Sequence, residues 1–84
     1  MTQGIWYRGR SKADLASAVR QIREEAGVDQ ATAAERVSSS RSTISRIERG
    51  HDVSLHTALS IIAELGYEIV LIPRGSGVTV KNDR

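Results

Sequence analysis

Residues 30–49 read QATAAERVSSSRSTISRIER and predict two short helices joined by a tight turn. The first helix is expected over 30–37 and the second over 41–49, with the serines between them forming the turn. Apolar side chains recur at helical spacing in both, so each helix has one face suited to a core. The expected core positions are Ala33, Val37, Ile44 and Ile47, with the small Ala34 where the two helices approach each other.

Two helices joined in this way form a helix-turn-helix, a motif that presents its second helix to the major groove of DNA. The polar residues on the exposed face of that helix are Ser40, Arg41, Ser42, Ser45 and Arg46. Residues 8–49 hold nine Lys and Arg against six acidic residues, whereas residues 50–84 hold three against four. The basic excess therefore falls on the part of the chain that would face phosphate, although a solvated mixed-charge surface would show the same balance.

Length and composition limit the other possibilities. A chain of 84 residues predicts one domain, and the lack of Cys excludes disulfides and thiolate metal sites. No apolar run approaches the ~20 residues of a membrane span, and no signal peptide is recognisable, so a cytoplasmic protein is expected. His51 lies in a loop and His56 at a helix start, without neighbouring ligands, so no metal and no cofactor are expected.

Two further helices flank the motif. Helix 1 is expected to follow Ser11 and to stop at Gly27, and helix 4 to follow Ser54 and to stop at Gly66. The expected helix N-caps are Ser11, Asp29, Ser40 and Ser54. The expected buried positions are Leu15, Val19, Ile22 and Ala26 in helix 1, and Leu55, Ala58, Leu59, Ile62 and Leu65 in helix 4.

The pattern changes after helix 4. Residues 67–72 form a β-branched, nearly continuous apolar run, which predicts a strand buried on both faces. A lone strand leaves its edge hydrogen bonds unsatisfied, so this one needs a partner. Two copies related by a two-fold axis would pair their strands and bury Ile69, Val70, Leu71 and Ile72. The alternatives are an internal hairpin with residues 78–81 or with residues 5–8.

Four segments follow from this interpretation. They are an N-terminal arm (1–10), a helix-turn-helix domain (11–66), a dimerisation strand (67–73) and a tail or short return strand (74–84). Trp6 in the arm is expected to pack against the sheet or helix 1, with anchoring of a partner protein as the alternative.

The stretch from Leu15 to Pro73 resembles the Xre, or lambda-repressor-like, family of bacterial regulators. Residues 40–50, SRSTISRIERG, are close to the commonest form of the family's recognition helix, and residues 27–30 resemble the entry to the preceding helix. A strand in place of the family's usual fifth helix, together with residues 11–20, resembles the HipB-like antitoxins. These partner a HipA-type kinase toxin and dimerise partly through C-terminal strands.

The resemblance implies a mostly α fold, a lambda-repressor-like four-helix DNA-binding domain with a C-terminal β-strand that pairs across a dimer. Arg41, Ser42 and Arg46 match the base-reading positions, and Arg reads guanine O6 and N7 bidentately. Arg23 and Glu48 match a salt bridge between helices 1 and 3, the alternative being two independent surface charges. The expected phosphate contacts are Gln30, Ser40, Thr43, Ser45 and Arg49, with capping or plain solvation as the alternative for the last four.

The chain departs from the family pattern in the turn. The family usually carries Gly at the position of Ser38 and an apolar residue at the position of Ser39. A Ser with positive φ is strained by about 1 kcal/mol, and a polar Ser39 weakens the core. Ala33 also replaces a more usual Leu.

The expected function is that of a sequence-specific DNA-binding transcriptional repressor. It binds an inverted-repeat operator as a homodimer, without catalysis, and is the antitoxin of a HipBA-like toxin–antitoxin pair. A stand-alone phage-type or restriction-controller regulator without a toxin partner is the alternative. The expected partners are double-stranded DNA, a second copy and a HipA-type kinase toxin, with no membrane and no small-molecule ligand. The expected location is the bacterial cytoplasm, at the nucleoid.

Overall fold

The computed structural model describes residues 2–3 and 6–82, which form a mostly helical fold. Its elements in chain order are β1 (Thr2–Gln3), α1 (Lys12–Glu25), α2 (Gln30–Arg36), α3 (Arg41–Glu48), α4 (Leu55–Glu64) and β2 (Lys81–Asn82). The two strands pair antiparallel, with Thr2 opposite Asn82 and Gln3 opposite Lys81. The predicted four-helix architecture is confirmed.

Each helix begins after its predicted N-cap. The four cap side chains accept the backbone N–H of the residue three positions on, and they belong to Ser11, Asp29, Ser40 and Ser54. Asp29 is charged in this role, because hydrogen bonds from the backbone N–H and the hydroxyl of Thr32 lower the pKa of its carboxyl. The start of α2 is therefore fixed by an anion at the positive end of its own dipole.

All four helices end with a residue of positive φ, and α2 is the exception in its residue type. Ser38 has a φ of +54° where the other three helices have glycine. The Ser38 N–H donates to the Glu35 carbonyl at 3.2 Å, and the Ser39 N–H donates to the Ala34 carbonyl at 2.9 Å. These two bonds form a Schellman motif, so the turn has the geometry that suits glycine and the strain predicted for Ser38 is present.

The core is shared by all four helices. Ile44 of α3 is fully buried and lies among apolar side chains of α1, α2 and α4. The buried cluster consists of Val19, Ala34, Ile44, Ile47, Ile61 and Ile62. Ala34 is buried where α2 and α3 meet, as the sequence predicts. Partly buried Val53 and Leu65 pack on the cluster from the segments before and after α4.

The predicted buried face of α4 is wrong in part. Leu55 is 70% exposed and Leu59 is also exposed, whereas Ala58, Ile61 and Ile62 are buried. Two apolar stripes run along this helix and share Ile62, so periodicity alone does not choose between them. Packing of the flanking Val53 and Leu65 turns the second stripe inward. In α1, Ala26 is exposed because it is the C-cap residue.

The predicted strand over 67–72 is not formed within the described chain. Ile69, Val70 and Ile72 are exposed, and Leu71 is 92% exposed. Among the described residues, neither 78–81 nor 6–8 pairs with this segment. Apolar, β-branched composition favours a strand but cannot supply the partner edge that one chain lacks. The part of the predictions that falls on residues 1, 4, 5, 83 and 84 lies outside the described residues.

The chain instead returns to its own N-terminal arm. A turn after Pro73, closed by the Ser76 N–H donating to the Pro73 carbonyl at 3.2 Å, leads back towards β2. Residues 74–82 thus return as predicted, but the ladder joins 81–82 to 2–3 and leaves residues 67–72 unpaired.

The N-terminal arm also contacts α1 and the residue after α4. The Tyr7 hydroxyl donates to Glu25 Oε1 at 2.9 Å, and this bond raises the pKa of Tyr7 to about 12. The rings of Tyr7 and Tyr67 meet edge to face, with centroids 6.1 Å apart. Trp6 is partly exposed and stacks under the Arg8 guanidinium, 5.1 Å from the ring centroid. The arm therefore fixes where the apolar segment 67–72 begins.

Candidate nucleic-acid interface

The helix α3 has one buried face and one exposed polar face. Ile44 and Ile47 fix it in the core, while Arg41, Ser42 and Arg46 are exposed. Ser42 and Arg46 are four residues apart and therefore lie on the same side of the helix. The structure thus brings the three predicted base-reading residues together on a surface held rigidly from behind.

A hydroxyl network organises the start of α3. Ser40 Oγ accepts the Thr43 N–H at 3.2 Å and lies 2.9 Å from Thr43 Oγ1 and 3.0 Å from Ser42 Oγ. The helix cap therefore uses the hydroxyls of Ser40 and Thr43, whereas Ser42 holds its own hydroxyl on the exposed side. Of the two roles predicted for Ser40, capping is present in the structure.

Two of the arginines on α3 fold back on nearby carbonyls. Arg46 Nη2 donates to the Asp52 carbonyl at 3.2 Å, and Arg49 Nε donates to the Ser45 carbonyl at 3.3 Å. A guanidinium has five N–H donors, so each group retains donors for a base edge or a phosphate.

The expected ion pair between Arg23 and Glu48 is formed, and the alternative of two independent surface charges is wrong. Arg23 Nε lies 2.6 Å from Glu48 Oε2, and Nη2 lies 2.8 Å from Oε1. The side chains are 12% and 4% exposed, and this hydrogen bonding raises the pKa of Arg23. Arg23 Nη1 also donates to the Val28 carbonyl at 2.9 Å, so α1, α3 and the loop before α2 are joined.

Gln30 joins this ion pair, which the sequence did not predict. Its Nε2 donates to Glu48 Oε1 at 3.2 Å. A carboxylate only accepts, so the amide nitrogen must face Glu48 and its second N–H remains available. The residue expected to contact phosphate is thereby connected to the interior of the motif.

A second ion pair was also missed. Lys12 Nζ lies 2.8 Å from Asp52 Oδ1, and both side chains are largely exposed. The hydrogen bond from Lys12 is the main reason why the pKa of the Asp52 carboxyl is lowered. The partners are forty positions apart, so no local pattern could have found the contact.

Two further surveys cover the same part of the chain. Within residues 2–3 and 6–82, no three His, Cys, Asp or Glu side chains are grouped closely enough to hold a metal ion. None of the helices described there combines the length and apolar character needed to cross a membrane.

Comparison with known proteins agrees with this geometry. Residues 19–72 match the model of the family described as Helix-turn-helix. The fold is similar to that of a HipB–O4 20mer complex (TM-score 0.76, 24% identity, 82% of this chain and 99% of that chain). It is also similar to a HipB variant in an O2 20mer complex (0.77, 25%, 83% and 99%). A HipA–HipB–O2–O3 complex matches as well (0.75, 26%, 82% and 99%). No curated protein is similar enough in sequence to count as a relative.

Proposed function

This chain belongs to the helix-turn-helix family, and on that premise we propose that it is a DNA-binding repressor of the HipB type. The observation that carries the proposal is the placement of α3, which is anchored by Ile44 and Ile47 and presents Arg41, Ser42 and Arg46 to solvent. In a two-fold dimer, two such helices would enter successive major grooves about 34 Å apart. Occupancy of an inverted repeat in a promoter would exclude the transcription machinery.

The contacts divide into two classes. Arg41, Ser42 and Arg46 read base edges, with guanine as the natural partner of an arginine fork. The proposed phosphate contacts, which set the position of α3 without reading sequence, are Gln30, Ser40, Thr43, Ser45 and Arg49.

The dimer is formed through residues 67–73. Ile69 to Ile72 expose four consecutive large apolar side chains in the single chain, a patch that a stable soluble monomer rarely leaves uncovered. Antiparallel pairing with a second copy would bury these side chains and satisfy the open edge. The arm (1–10), the domain (11–66) and the tail (74–84) would then flank a shared sheet.

A HipA-type kinase is the proposed protein partner. The similarity to the HipB chain of a HipA–HipB–O2–O3 complex supports this assignment. In this role the protein is a non-catalytic antitoxin that acts at the nucleoid in the cytoplasm, and it represses its own operon.

Fluorescence anisotropy with the DNA upstream of the reading frame tests the proposal. We expect selective binding over a scrambled duplex of the same composition, with affinity that falls linearly in logarithmic salt concentration. Equal binding to both duplexes would remove the repressor assignment. Co-expression with a neighbouring kinase-like reading frame tests the antitoxin assignment separately, because only a toxin partner would co-purify.

A further inference from the structure

Asp52 contacts cations from two different helices. Its carboxylate accepts a hydrogen bond from Lys12 Nζ at 2.8 Å, and its main-chain carbonyl accepts one from Arg46 Nη2 at 3.2 Å. Lys12 is the first residue of α1, and Arg46 lies on the exposed face of α3. One residue of the α3–α4 loop therefore joins the start of the first helix to a proposed base-reading side chain.

The loop holds Arg46 from both ends. The His51 N–H donates to the Arg46 carbonyl at 2.9 Å, next to Gly50 with its φ of +78°. On the other side of Asp52, Val53 packs on the core. The Asp52 carbonyl is thus placed by a Schellman motif, a core anchor and the ion pair to Lys12.

We propose that Asp52, fixed by Lys12, is the positioning residue for Arg46 and determines how well the protein discriminates its operator from other DNA. The inference rests on the proposed function. A long side chain that is ordered before binding loses less entropy when it meets the correct base. The same restraint holds Arg46 away from the phosphates, which dominate non-specific binding.

Charge alone would give a different pattern, and two variants separate the explanations. Lys12→Gln removes one positive charge, whereas Asp52→Asn removes one negative charge, and both break the ion pair. If only net charge mattered, their affinities for DNA would move in opposite directions and the operator preference would stay constant. If Arg46 is positioned by the pair, both variants reduce the preference.

The experiment measures dissociation constants for a duplex selected by the wild-type protein and for its scrambled counterpart. We expect both single variants to lower the ratio of the two constants by about two- to tenfold, the cost of ordering one long side chain. The double variant should lose no more than either single variant. In an Arg46→Ala background, neither change should alter the ratio further.

The ion pair Arg20–Glu24 on α1 provides the matched control. It is exposed, with 3.6 Å between Arg20 Nε and Glu24 Oε2, and Arg20→Gln and Glu24→Gln repeat the same two charge changes. These controls should leave the ratio unchanged. An unchanged ratio in either Lys12→Gln or Asp52→Asn, or equal losses in the Arg46→Ala background, would overturn the inference. A wild-type ratio of one would instead overturn the proposed function, and this inference with it.

Discussion

Arg23 and Glu48 form a bidentate ion pair that joins α1 to the end of α3, and Glu48 also accepts a hydrogen bond from Gln30. The pair lies behind the proposed DNA-binding face, where both side chains are almost fully removed from water. A buried charge that loses its partner keeps its desolvation penalty without compensation. The orientation of α3 therefore depends on two residues twenty-five positions apart in the sequence.

Replacing Arg23 by Ala is expected to lower the free energy of unfolding by about 3–5 kcal/mol, because Glu48 would remain buried and unpaired. Urea denaturation followed by circular dichroism measures the loss. Arg20→Ala on the exposed face of the same helix is the control, with an expected change of about 0–1 kcal/mol. Equal effects of the two changes would show that the interior pair contributes no more than a surface one.

Ser38→Gly is expected to stabilise the protein by about 1 kcal/mol, because glycine adopts positive φ without the steric cost of a Cβ atom. A gain of this size raises the melting temperature by about 4–8 °C in a domain of this length. Ser39→Gly makes the same chemical change at a neighbouring residue without positive φ. A gain from Ser39→Gly but not from Ser38→Gly would contradict the prediction.

Arg41→Ala and Arg46→Ala are each expected to weaken binding to the selected operator by about 1–3 kcal/mol. The loss on scrambled DNA should be smaller, because base contacts contribute little there. Anisotropy titrations on both duplexes measure the difference. Arg74→Ala, an exposed arginine outside the motif, is the control. Equal losses on the two duplexes would assign Arg41 and Arg46 to phosphate contacts alone.

Val70→Lys and Ile72→Lys are each expected to convert the dimer to a monomer, because a charged side chain would be buried in the paired strands. Analytical ultracentrifugation reports the change directly. Leu55→Lys is a close control, since Leu55 and Val70 are both 70% exposed in the single chain. A dimer that survives changes at 70 and 72 but is lost with Leu55→Lys would move the interface to α4.

Alkaline titration is expected to separate the two tyrosines. The hydrogen bond to Glu25 raises the pKa of Tyr7 from 10.0 to about 12, so the folded protein favours the neutral phenol. This contribution to stability is fully present below pH 10 and is lost as the pH rises towards 12. Absorbance of tyrosinate should therefore show a late phase, which Tyr7→Phe removes and Glu25→Gln shifts to lower pH. A late phase that persists in Tyr7→Phe would contradict the assignment.

Local signals predicted the helices well, since the caps at Ser11, Asp29, Ser40 and Ser54 depend on contacts three residues apart. The inward stripe of α4 could not be chosen from the sequence, because Leu59 and Ile61 fit equally good helical patterns. The Lys12–Asp52 contact and the fate of residues 67–72 depend on distant or absent neighbours. Arg23 and Glu48 were paired through family resemblance, since nothing in their spacing indicates a contact.

The β1–β2 ladder places Thr2 directly opposite Asn82. Fluorophores attached ahead of β1 and behind β2 would therefore lie within energy-transfer distance of each other, and their signal would report fraying of the ladder. A short linker between the two strands would also produce a circular polypeptide without crossing α3. Closing the chain there would reduce the conformational entropy of the unfolded state and leave the DNA-facing side chains untouched.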